Sequence, residues 1–104
     1  MNIQNILRSL DNCPCGREHT FDTERVEIGR GLVKKTGEIL AESRFPKKML
    51  LVADTKTLKA SAGILDSLDA NGFEVKKLIY DCMEYARVEQ VREIESAAAD
   101  CDAI

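Results

Sequence analysis

Apolar residues at Ile3, Ile6, Leu7 and Leu10 recur every three or four positions. That spacing places them on one helix face, so residues 2–11 read as a short amphipathic helix. Leu32, Thr36, Ile39 and Leu40 repeat the spacing between Gly31 and about Ser43. Pro46 keeps that second helix from continuing, because its ring leaves no N–H for the ladder. Met49–Ala53 differs. It is an unbroken apolar run bounded by lysines and an aspartate. Such a run predicts a strand buried on both faces, as in the middle of a parallel sheet. Leu58, Ala62, Leu65 and Leu68 predict a helix over 57–70, ended by Asn71-Gly72. Phe73–Tyr80 reads as the next strand. Val88, Val91, Ile94 and Ala98 mark a helix over about 87–99.

Two shorter stretches complete the pattern. FDTERVEIG predicts a strand around Val26–Ile28, ending at Gly29. Asp102-Ala103-Ile104 looks like the opening of a further buried strand. Strands alternating with helices predict an α/β fold with a parallel sheet. The expected organisation is a helix over 1–11, a hairpin-like segment over 12–22, and alternating strands and helices over 23–104. A chain ending inside a strand is expected to be the front part of a longer protein. Open sheet edges of that kind invite association, so a homo-oligomer is compatible with this reading.

Composition narrows the function classes. The chain has 104 residues, 44% apolar and 32% charged, with a net charge of −3. This is the profile of one soluble domain, and it gives no reason to expect a nucleic-acid partner. Lys47-Lys48 and Lys76-Lys77 are isolated basic pairs, read as solvated surface. MNIQNILRSLDN is too interrupted by polar residues for a secretory signal. No stretch reaches the ~20 apolar residues of a membrane span. No membrane partner is therefore expected. The expected location is the cytoplasm, where thiols stay reduced.

The cysteines cluster at one place. DNCPCGREHTFD holds Cys13, Cys15 and the single histidine, His19. A structural zinc site wants four ligands, and this stretch offers three. If Gly16-Arg17 is a two-residue hairpin loop, Cys13 and Cys15 face away from His19. A three-residue loop over Gly16–Glu18 would instead bring Cys15 and His19 to one face. The first register is the expected one. It makes the stretch a structural turn, His19 a surface or packing residue, and a metal ligand set absent. A Cys13–Cys15 disulfide would close a small, strained ring.

Asp54 carries the strongest chemical signal. A carboxylate directly after a buried strand sits at the edge where α/β sheets bind ligands. It could accept hydrogen bonds from both ribose hydroxyls of a dinucleotide, and its charge would repel a 2′-phosphate. It could equally cap the following helix, as could Thr55 or Thr57. Gly29-x-Gly31 precedes it, with Gly31 23 residues earlier; a dinucleotide fingerprint wants this layout, with an acidic residue ~20 residues on. The third glycine is missing, since position 34 is Lys34. The simpler reading is that Gly29 and Gly31 shape a strand-to-helix turn.

CPCGREH, VEIGRGLVKKTGEIL and LLVADTKTLKA together resemble the N-terminus of sn-glycerol-1-phosphate dehydrogenases. These form a branch of the iron-containing alcohol dehydrogenase and glycerol dehydrogenase superfamily. The resemblance runs over nearly the whole chain. It implies a Rossmann-like parallel sheet with flanking helices, here the truncated N-terminal part of a dinucleotide-binding domain. It implies NAD or NADP as cofactor, with Asp54 on the cofactor ribose. It implies reversible reduction of dihydroxyacetone phosphate to glycerol 1-phosphate, with a divalent metal (zinc, nickel or iron) polarising the carbonyl. The family's metal ligands and glycine-rich phosphate loop fall beyond Ile104. The chain alone is therefore expected to be inactive, with no catalytic residue and no family metal ligand of its own.

Two other classes compete. A receiver-like signalling module would use Asp54 as phosphoacceptor, but needs an acidic pair to hold Mg²⁺. The first expected strand ends in Gly29-Arg30, which lacks it. A small metal-binding module would be built on CPCGREH.

Overall fold

A computed structural model describes residues 3–20 and 22–104. The order is α1 (Ile3–Leu10), a 3₁₀ turn (Leu32–Lys35), α2 (Thr36–Glu42), β1 (Lys48–Asp54), α3 (Thr55–Ala60), α4 (Ile64–Ala70), β2 (Glu74–Tyr80) and α5 (Val88–Ala98). The architecture is α/β, with a two-stranded parallel sheet and flanking helices. Position 2 of the expected first helix lies outside the described residues.

β1 and β2 pair in parallel from Lys48↔Glu74 to Asp54↔Tyr80. A parallel bridge joins Met49 to Ala103. Glu74 N–H donates to the carbonyl of Lys47, whereas Asp102 N–H donates to that of Lys48. Successive strand carbonyls point to opposite edges, so β1 lies between β2 and the 102–104 segment. The expected strand start at Asp102 is thus seated beside β1.

The sheet is covered on both faces. Met49 and Leu51 lie on one face and pack with Leu68, Phe73, Leu40, Phe45 and Ile64. Leu50 lies on the other face and is fully buried. α5 packs against β1, whereas α2 and α4 pack against each other. Burying Leu50 and Leu68 stabilises the fold by roughly 1.5–3 kcal/mol each.

Two helix ends share one device. Phe73 N–H donates to Leu68 O at 3.1 Å and Gly72 N–H to Asp69 O at 3.0 Å. This is a Schellman closure, with Gly72 left-handed at φ 78. The apolar partners Leu68 and Phe73 both enter the core. α2 ends the same way. Phe45 N–H donates to Leu40 O at 2.9 Å and Arg44 N–H to Ala41 O at 3.1 Å. There the left-handed residue is Arg44, at φ 56.

The structure corrects three expectations. Val26–Ile28 is not a strand, because no chain segment pairs with it among the described residues. Ile28 is 72% exposed. The segment is held instead by Arg25, whose guanidinium donates to Glu27, Glu42 and Ser43. The helix expected over 57–70 is two helices. Gly63 takes φ 97 and breaks it between Ala60 and Ile64. The helix expected from Gly31 begins as a 3₁₀ turn, with Gly31 left-handed at φ 73 before it.

Candidate functional site

The carboxyl end of the sheet gathers polar groups from both strands. β1 runs out at Asp54 and β2 at Tyr80, directly opposite in register. From β1 the chain passes through α3 and α4 to β2 on one side. From β2 it passes through α5 to the 102–104 segment on the other side of β1. The winding therefore reverses at β1. In open α/β sheets the crevice at such a reversal is where ligands bind.

Asp54 is the N-cap of α3. Its extended backbone (φ −104, ψ 172) turns Oδ1 over the first helical turn. Oδ1 accepts from Thr57 N–H at 2.7 Å and from the Thr57 hydroxyl at 2.8 Å. Asp54 N–H donates back to Thr57 Oγ1 at 3.0 Å, which completes a capping box. The Thr57 amide, then its hydroxyl, hold the Asp54 carboxyl below the usual aspartate range. The carboxylate is thus ionised and fixed in orientation. Both of its side-chain bonds go to Oδ1, and among the described residues Oδ2 accepts none. Capping and ligand binding therefore do not compete for the same oxygen.

The neighbouring groups brace this edge. The Thr55 hydroxyl donates to the carbonyl of Asp81, tying the end of β1 to the end of β2. Tyr80 donates its hydroxyl to Glu93 at 2.9 Å. Burial, then this bond, raises the Tyr80 phenol above its ordinary value. A surface groove on the loop after β2 is lined by Cys82, Met83, Glu84, Tyr85, Arg87 and Gln90. Gly29 and Gly31 do not follow a strand. Gly31 shapes the turn into the 3₁₀ segment, and Gly29 makes only ordinary contact with Leu32.

The cysteine stretch departs from its expected register. Gly16 N–H donates to the carbonyl of Cys13 at 3.1 Å, so the turn is Cys13–Gly16 rather than Gly16-Arg17. Pro14 then occupies the second turn position, which its fixed φ suits, and Gly16 the fourth, at φ 71. The chain beyond it brings His19 back. His19 Nε2 lies 3.1 Å from Cys15 Sγ, where the expected register had it facing away. Ligand atoms of Cys13, Cys15 and His19 all lie within 4.8 Å of one another. Cys13 is half-buried, and Cys15 and His19 are exposed. The backbone N–H of Cys15, then its side chain, lower the Cys13 thiol below its ordinary value. Pro14 and Gly16 were the signal for this register, since they fit a four-residue turn better than a hairpin tip. All four cysteines are free thiols.

No helix is long and apolar enough to cross a membrane among the described residues. No family model matches the chain, and no solved structure matches it. One curated relative is the glycerol-1-phosphate dehydrogenase [NAD(P)+] of Methanothermobacter thermautotrophicus. It is 33% identical over 69 residues. The match covers 65% of this chain and 20% of that protein, so the chain spans about a fifth of the relative's length.

Proposed function

We propose that this chain is the cofactor-binding front portion of an NAD(P)-dependent oxidoreductase that interconverts dihydroxyacetone phosphate and glycerol 1-phosphate. The observation that carries the reading is Asp54. It stands at the end of the central strand, at the winding reversal, ionised and oriented by Thr57, with Oδ2 unengaged by any described residue. A ribose with two vicinal hydroxyls suits that oxygen, because both lone pairs of Oδ2 stand clear of the two Thr57 bonds, which fall on Oδ1. The similarity to a dehydrogenase of that substrate supports the same choice.

Bound NAD(P)H would supply the hydride. The residues here bind and orient. Asp54 fixes the adenosine ribose, Thr57 fixes Asp54, and the Thr55–Asp81 bond holds the rim on which both depend. The resemblance implies a catalytic metal whose ligands would lie outside these residues. A phosphoacceptor role for Asp54 is not favoured, because among the described residues no group of acidic side chains gathers around it to hold Mg²⁺.

The test is Asp54→Asn in the parent protein, assayed with NADH and dihydroxyacetone phosphate. Asparagine keeps the Oδ1 acceptor and is itself a favoured N-cap residue, so α3 is retained. Losing one charged hydrogen bond to the ribose is worth roughly 1.5–3 kcal/mol, so NADH affinity should fall at least tenfold. Unchanged NADH affinity would remove Asp54 from the cofactor site.

A further inference from the structure

We propose that Cys13, Cys15 and His19 form a zinc-binding site with three protein ligands and an open fourth position. It lies in the segment that precedes the α/β unit and stands apart from the cofactor reading.

The local backbone builds it. The Cys13–Gly16 turn puts two thiols on either side of Pro14, and the following residues return the imidazole to within hydrogen-bonding distance of Cys15. All three ligand atoms already lie within 4.8 Å of one another. A tetrahedral zinc with bonds of about 2.3 Å to sulfur and about 2.0 Å to nitrogen sets its ligand atoms about 3.5–3.8 Å apart. The Cys15–His19 pair, at 3.1 Å, would open by about half an ångström to admit the ion. Exposed side chains on an irregular segment can move that far without disturbing the core.

The donor set selects the ion. Two thiolates and an imidazole are soft to borderline donors, which favour zinc over magnesium or calcium. Among the described residues no fourth histidine, cysteine or carboxylate joins the group. With Cys15 and His19 exposed, water reaches the remaining position. Binding releases the thiol protons to solvent as the two sulfur–zinc bonds form.

The experiment uses the untagged 104-residue chain, reduced and equilibrated with zinc, then with cobalt as a spectroscopic probe. The expected result is one equivalent of zinc per chain. Cobalt should give the intense visible bands of a four-coordinate ion, with thiolate-to-cobalt charge transfer in the near ultraviolet. Cys13→Ser, Cys15→Ser and His19→Ala should each abolish stoichiometric binding while leaving the far-ultraviolet circular dichroism unchanged. The Cys82→Ser, Cys101→Ser double variant should bind as the parent does. A reduced chain that takes up no metal would overturn the proposal. So would zinc retained by the Cys13 or His19 variants, or lost with Cys82 and Cys101.

Discussion

The backbone N–H of Gly37 donates to the hydroxyl of Ser67 at 2.9 Å, joining α2 to α4 where both are buried. Gly37 lies in the first turn of α2, where amides have no partner within their own helix. The neighbouring helix supplies the missing acceptor. Asn71 adds to the joint by donating its side-chain amide to Ser67 O at 2.8 Å. Ser67→Ala should therefore cost about 1–3 kcal/mol, because a buried donor is left unpaired. Urea unfolding of the two chains measures it.

Gly37 is also a packing requirement. A Cβ there would collide with the carbonyl of Ser67 and crowd the Asn71 amide. The obstacle is backbone, which cannot turn aside as a flexible side chain would. Gly37→Ala gains about 1 kcal/mol of helix propensity. It loses about 1–3 kcal/mol or more to overpacking, so the net change should be destabilising. A thermal scan showing a raised midpoint would contradict this joint.

Arg44 offers the opposite case. It holds a left-handed conformation at φ 56 in the closure of α2, and its side chain is exposed. A non-glycine residue there costs roughly 1–2 kcal/mol. Glycine's freedom in the unfolded chain returns part of that cost. Arg44→Gly should stabilise the chain by about 1 kcal/mol, seen as a higher urea midpoint with an unchanged slope.

Acid should weaken the Asp54 cap. The carboxyl is held lower in the native state than in the unfolded chain. Its contribution is then fully present above the unfolded value, near pH 4, and is lost as pH falls through the lower native value. Asp100, lowered by its bond to Lys76, acts with the same sign. The stability difference between the parent chain and Asp54→Asn should therefore shrink as pH drops below about 4. A difference that holds constant with pH would mean that the cap does not depend on charge.

The regular elements were legible where one residue pattern decided them. Met49–Ala53 announced β1 because a continuous apolar run suits a strand covered on both sides. Asn71-Gly72 announced the end of α4 because the Schellman closure needs a left-handed residue. Val26–Ile28 misled, since a short strand-like stretch shows only that a segment can pair, and the described chain provides no partner. The break at Gly63 was hidden because Ala62 and Leu65 keep helical spacing across it. At the candidate sites, the position of Asp54 was readable, but the division of labour between its two oxygens was not. That division depends on Thr57 turning both its amide and its hydroxyl toward Oδ1. The meeting of Cys15 with His19 hinged on one turn register, which Pro14 fixed and a hairpin template obscured.

The proposed function rests on Asp54 holding the adenosine ribose. The most direct measurement is the ratio of NADH to NADPH affinity in the parent protein and in Asp54→Asn. An ionised carboxylate at the ribose repels a 2′-phosphate, so the parent should favour NADH. Removing the charge should weaken NADH and strengthen NADPH relative to it, lowering the ratio at least tenfold for one charged hydrogen bond. A ratio that is the same in both proteins would contradict the account and leave Asp54 as a helix cap alone.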